Sequence, residues 1–374
     1  MKKILTTILI ATFFISIGIT NAQDKVDIKS KATNIKIKMK KPISDEERKK
    51  IEENFPKGKP AVSVDTTTKF IFPATGINVS SLGRKYAIVV GMANYPGMDY
   101  DLCVTDAKTN LSNPLDGLAK YCKDDDSWHM YSTLINEYQF DKENVVLLAD
   151  KNATYTNIKN AIDDLMITKG LTADDEIVFF FSGHGMAGNY LGEGTDTDAD
   201  NVDEAFAFYD ETYPSDVDII ANPEILADYN YLVSNSMIFD DELKSLFANS
   251  PTDRITFVFD ICGAGGMNDL AQAGRVIVMS SKENESSYTF YLGGTYTSLT
   301  TIQESQGLFS HYFVNNGMED GLADGYNLLS RKDIRKYDGL VSIEEAFGYA
   351  YPIVKSIKPQ TPTLSDGLLN DFLP

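Results

Sequence analysis

Five stretches of the chain are short, continuous and apolar: Lys85–Met92 (KYAIVVGM), Asn144–Ala149 (NVVLLA), Glu176–Phe181 (EIVFFF), Arg254–Phe259 (RITFVF) and Arg275–Met279 (RVIVM). Each has the length of a strand, and none alternates apolar with polar residues. Strands this uniform are buried on both faces, as in a parallel sheet. Between them the apolar spacing becomes helical. Tyr155–Thr168 carries Ile158, Ile162, Leu165 and Met166 on one stripe, with Thr154 as the N-cap. Trp128–Tyr138, Asp240–Ala248, Gly307–Asn315 and Ser342–Val354 also read as helices; the last has Ser342 and Glu345 at capping-box spacing. This alternation predicts an α/β fold, a mostly parallel central sheet with helices on both faces. The polar, acidic stretch Met186–Ser236 is too long for a simple connection and is expected to border a site. No internal repeat is visible.

The N-terminus follows different rules. Met1, Lys2 and Lys3 precede an apolar run from Ile4 to Ile19, and Thr20-Asn21-Ala22 offers small residues for cleavage. Residues 1–22 therefore read as a secretory signal peptide, with an uncleaved anchor as the rival, and the protein is expected to be secreted or periplasmic. No later stretch approaches the ~18 to 20 apolar residues of a membrane span. Residues 23–82 hold 13 Lys and Arg against 8 Asp and Glu, whereas residues 83–374 hold 19 against 46. A basic arm, linker or pro-segment thus precedes an acidic body. A short helix is expected at 44–54, where Ser44 and Glu47 have capping-box spacing, and the arm's basic side chains would lie on the body until cleaved. With a net charge of −20 over 374 residues, the chain would repel a phosphate backbone, which argues against nucleic acid as a partner.

The candidate chemistry lies at two strand ends. Phe179-Phe180-Phe181 runs into Ser182-Gly183-His184-Gly185, and Phe257-Val258-Phe259 into Asp260-Ile261-Cys262-Gly263. Open parallel sheets collect functional groups past the carboxyl ends of their strands. If these two strands are neighbours, His184 and Cys262 can meet as a base and a nucleophile, the imidazole promoting the thiolate. The N–H groups of Gly185 and Cys262 could stabilise the oxyanion. The chain has only three Cys and three His. Cys103 and Cys122 could pair across a loop of about 20 residues worth about 3 kcal/mol, leaving Cys262 as the odd free thiol.

These motifs resemble the caspase-like clan of cysteine peptidases, most closely its metacaspase branch, from about Lys85 to Leu364. Lys85–Tyr95 is similar to the first strand and loop of that family. Cys103-Val104-Thr105-Asp106-Ala107 is similar to its Cys-x-x-Asp-Ala element, and Phe239–Leu243 (FDDEL) to its Asp-Asp-Glu helix start. Gln360-Thr361-Pro362 resembles its tail. The triplet after the cysteine departs from the family: Gly263-Ala264-Gly265 stands where His-Ser-Gly is usual. The resemblance implies a caspase-like fold, a cysteine-type endopeptidase, and protein or peptide substrates with basic residues. The primary pocket implied is Asp106, Ser182 and Asp260, whose carboxylates suit Arg or Lys. The absence of Lys and Arg from Gly170 to Leu243 fits a peptidase that spares its own acidic loop. Self-cleavage is then expected in the arm, at Lys282 or within 331–336.

No cofactor is required by this chemistry, but calcium is a candidate activator. The resemblance implies scattered aspartates, here Asp198 or Asp200, with Asp240, Asp241 and Asp269. Asp196, Asp198 and Asp200 have calcium-loop spacing, yet Asn201 and Ala207 occupy the Gly and Glu positions of an EF-hand. Gly263-Ala264-Gly265-Gly266 lacks the final glycine of a dinucleotide loop, with Asn268 in its place. Two rival functions remain: a catalytically silent caspase-like binding protein, and a hydrolase using the same dyad on a non-peptide acyl group.

Overall fold

A computed structural model describes residues 41–42, 78–79, 82–95, 102, 122–188, 203–210, 236–291, 303–326, 339–368, 371–372 and 374. The strands, in chain order, are β1 (Lys41–Pro42), β2 (Asn78–Val79), β3 (Lys85–Gly91), β4 (Cys122–Asp124), β5 (Val145–Ala149) and β6 (Glu176–Ser182). There follow β7 (Gly185–Gly188), β8 (Asp203–Ala207), β9 (Met237–Phe239), β10 (Ile255–Asp260) and β11 (Arg275–Met279). The last are β12 (Tyr288–Tyr291), β13 (Gln303–Gly307), β14 (Thr363–Asp366) and β15 (Asp371–Phe372). The helices used below are α1 (Asp126–Asn136), α2 (Tyr155–Asp163), α3 (Asp240–Leu246) and α4 (Ile343–Ile357).

All five apolar runs are strands of one sheet, ordered β14-β11-β10-β6-β3-β5. Every pair is parallel except the edge strand β14, which runs antiparallel to β11. The uniform apolar character has a direct cause, because alternate residues feed two separate cores. Ala87, Val89, Val178, Phe180, Val258 and Val276 pack with Met130 and Leu134 of α1 and Phe347 and Tyr351 of α4. Ile88, Val90, Phe179, Phe181, Phe257 and Phe259 pack with Ile158 and Ile162 of α2 and Leu243 of α3. Helices therefore cover both faces, as the pattern required.

Local signals account for several boundaries. The Thr154 hydroxyl accepts the Asn157 N–H at 3.2 Å and starts α2. Ser342 and Glu345 form a complete capping box at the head of α4. The expected helix at 307–315 is instead a short α segment, Leu308–Ser310, continued by a π-helix over His311–Glu319. The expected helix at 44–54 lies outside the described residues. A second sheet, β1-β12-β13-β4, lies beside the carboxyl end of the first, and a third, β7-β8-β9, begins at Gly185. Among the described residues no helix is long and apolar enough to cross a membrane.

Candidate active site

The register of β6 against β10 builds the site. Asp260 stands opposite Ser182, and the Gly183 N–H donates to the Asp260 carbonyl at 3.2 Å. His184 and Cys262 each lie two residues beyond that pair, on strands about 4.8 Å apart. Gly185 then packs on the neighbouring segment so closely that a Cβ would lie 2.4 Å from the Cys262 carbonyl oxygen. Only glycine fits there. His184 is 6% exposed and Cys262 fully buried.

Tyr95, in the loop after β3, touches His184 in two ways. Its hydroxyl accepts the His184 backbone N–H at 2.7 Å, and its ring centroid lies 4.7 Å from the imidazole. Asp150 holds that loop by accepting the N–H groups of Ala93 and Asn94, both at 2.9 Å. On the other side, the Ser287 N–H donates to the Cys262 Sγ at 3.2 Å. The unusual triplet after the cysteine also has a structural reason. Gly263 has φ +71°, in the left-handed region where other residues are strained, and its N–H donates to the Glu285 carbonyl at 3.0 Å.

Beside the paired strand ends lies a group of buried carboxylates. Asp260 accepts the Ser287 hydroxyl at 2.7 Å, and the Ser310 N–H and hydroxyl at 3.0 and 2.8 Å. Asp126, the first residue of α1, accepts the Ser182 hydroxyl at 2.5 Å and the Gly307 N–H at 2.9 Å. Asp124 lies behind them, bound to the N–H and hydroxyl of Ser127. Burial pushes the Asp124 carboxyl well above its usual range, and the charges of Asp126 and Asp150 add to the rise. Burial likewise raises Asp150, against three backbone N–H donors.

Of the pocket residues implied by resemblance, Ser182 and Asp260 are brought together, while Asp106 lies outside the described residues. Asp126 was missed. The Cys-x-x-Asp spacing occurs twice, at Cys103–Asp106 and at Cys122–Asp125, and the second copy ends one residue short of Asp126. The second copy is the one that leads directly into α1. Cys103 is not among the described residues, so its pairing with Cys122 stays an expectation. Cys262 is a buried thiol outside any disulfide.

A second acidic group joins Asp240 and Asp241, at the start of α3, to Asp269 in the 3₁₀ segment Ala264–Leu270. One carboxylate oxygen from each lies within 4.8 Å of the others. Burial, and then the charges of Asp269, Asp241 and Asp203, push the Asp240 carboxyl up to about 7. Hard oxygen donors in this arrangement fit a calcium ion. Asp198 and Asp200 lie outside the described residues.

A mostly parallel six-stranded sheet, covered on both faces and carrying a His and a Cys past adjacent strand ends, defines a caspase-like α/β protein. Residues 84–330 match the family model described as the caspase domain, and the chain belongs to that family of cysteine peptidases. It is 26% identical over 196 residues to metacaspase-4 of Arabidopsis thaliana, covering 50% of this chain and 35% of that protein. It is 26% identical over 202 residues to metacaspase-3 of the same plant, covering 51% of this chain and 42% of that protein. The chain thus spans well under half the length of the two relatives.

Proposed function

We propose that the protein is a secreted or periplasmic cysteine endopeptidase that cuts after Arg or Lys. The observation that supports this most is the β6–β10 register, with Ser182 opposite Asp260 and His184 and Cys262 equally far beyond. In this reading Cys262 attacks the scissile carbonyl. His184 takes the thiol proton and later gives it to the leaving amine. The N–H groups of Gly185 and Cys262 stabilise the oxyanion. Ser182, Asp260 and Asp126 form the base of the primary pocket, where buried carboxylates favour a cationic side chain.

The remaining proposals concern control. Asp240, Asp241 and Asp269 would hold calcium, with Asp198 or Asp200 completing the set, and the ion would fix α3 against the segment that follows Cys262. The basic arm would rest on the body until cleaved; the pairing of Lys41 and Pro42 with Tyr288 and Thr289 supports such seating.

The test uses short Arg, Lys and Asp reporter peptides, with and without calcium, beside Cys262→Ala. Turnover of basic reporters that vanishes in the variant is expected, with the arm lost from wild type and kept in Cys262→Ala. Preference for the Asp reporter would overturn the specificity. Silence on every reporter, with calcium present, would favour the silent binding protein. N-terminal sequencing of exported protein checks cleavage after Ala22.

A further inference from the structure

Gln360 is a fully buried amide far from both strand ends in sequence, yet it reaches the sulfur of Cys262 through one residue. Its Nε2 donates to the Ser280 carbonyl at 2.9 Å and to the Ser287 hydroxyl at 3.1 Å. Its Oε1 accepts the Tyr288 N–H at 3.1 Å. One side chain therefore closes the neck of the loop from Ser280 to Tyr288. From the opposite side the Ser287 hydroxyl donates to Asp260 at 2.7 Å. The Ser287 peptide is pinned at its hydroxyl and at the N–H that follows it. Between those pins its own N–H points at the Cys262 Sγ, 3.2 Å away. The neighbouring residue Thr361 anchors the same loop, its N–H and hydroxyl donating to the Glu285 carboxylate at 2.6 and 3.1 Å.

We infer that Gln360 is a positioning residue for the nucleophile: it holds the Ser287 N–H on the Cys262 sulfur, where that donor favours the thiolate. This rests on the reading of Cys262 as the nucleophile. The physical basis is that a hydrogen bond to a charged atom is worth more than one to its neutral form. A donor on a free loop would lose much of that advantage to conformational entropy. The titratable groups set around this arrangement are His184 at the end of β6, Asp260 before the cysteine and Glu285 on the covering loop.

The test is a pH titration of thiolate absorbance in the ultraviolet, taken as the difference between each protein and its Cys262→Ala counterpart. Absorbance needs no access to the buried sulfur. In Gln360→Leu, thiolate formation should move to higher pH, with about tenfold less thiolate on the rising part of the curve. Ser287→Ala, which removes only one of the two pins, should move it less in the same direction. The acid limb of kcat/KM on a basic reporter should shift alongside, with little change in KM. A lowered melting temperature with an unmoved titration would make Gln360 merely structural and overturn the inference. If Gln360→Leu fails to fold, an unmoved titration in Ser287→Ala overturns it equally. Failure of the peptidase reading looks different, because wild type itself would then turn over no reporter whatever its titration.

Discussion

Asp126→Asn separates the pocket proposed around Asp126 from the one expected by motif around Asp106. Asp126 is 2% exposed, and its oxygens take the Ser182 hydroxyl at 2.5 Å and the Gly307 N–H at 2.9 and 3.0 Å. Asparagine keeps the shape and one acceptor but removes the charge. A guanidinium about 4 Å from a carboxylate gains about 4 kcal/mol at an effective dielectric of 20. Desolvation of the incoming cation offsets part of this, which leaves about 1.5 to 3 kcal/mol for a hydrogen bond to a charged group. At about 1.4 kcal/mol per tenfold, kcat/KM on Arg and Lys reporters should fall roughly 10- to 150-fold. A reporter with a neutral residue at the cleaved position should change little. The folding cost should stay near 1 kcal/mol, because one of the neutral contacts survives. The assay compares Asp126→Asn with Asp106→Asn on Arg, Lys and neutral reporters, with melting temperatures alongside. An equal fall on all three reporters would mean that Asp126 only holds the strand ends together. Loss of basic turnover in Asp106→Asn, with Asp126→Asn unaffected, would refute the assignment outright.

Tyr95→Phe keeps the ring against His184 but leaves its buried N–H without the tyrosine oxygen that sits 2.7 Å away; a stability loss of about 1 to 3 kcal/mol by denaturant titration is expected, with kcat falling more than KM rises. His129 bridges α1 to the π-helix, bonded to Glu319 at 2.6 Å and Asp125 at 3.3 Å, and its ring is raised to about 9, first by the Asp125 hydrogen bond and then by the two carboxylate charges against burial. Because the folded value lies above the ordinary 6.5, the pair stabilises fully below about pH 6.5 and loses its contribution as pH rises through about 9. With the side chain 32% exposed, screening leaves about 1 kcal/mol, so wild type and His129→Gln should differ in melting temperature at pH 6 and converge above pH 10. Calcium should raise the melting temperature of wild type and leave that of an Asp240→Asn, Asp269→Asn double variant unmoved; equal responses would remove these aspartates from any calcium site.

The proposed catalytic pair and the proposed pocket differ in how much a sequence can reveal about them, and the reason is the range of the interactions involved. The placement of His184 and Cys262 past adjacent strand ends was legible because each follows an apolar run, and such runs declare a buried parallel strand from local pattern alone. The five runs match the observed strands to within a residue, Lys85–Met92 against Lys85–Gly91 for example. Strand β14 was invisible because Thr363–Asp366 has one fully buried residue, Leu364; it is a strand only through its pairing with Val276–Met279. Asp126 was not legible for a related reason. Hydropathy assigns the run Asp124-Asp125-Asp126 to solvent, and Asp126 belongs to the interior only because distant donors satisfy it. Ser182 is 56 residues from Asp126 and Gly307 is 181 residues away. A buried carboxylate costs several kcal/mol unless such donors are in place, and neither lies within any window that a pattern reading could use. The same holds for Gln360, which lies 73 residues from Ser287. In this fold, the proposed nucleophile and base are written into the strands that carry them, whereas the groups proposed to tune and select are defined by contacts that form only once the sheet has assembled.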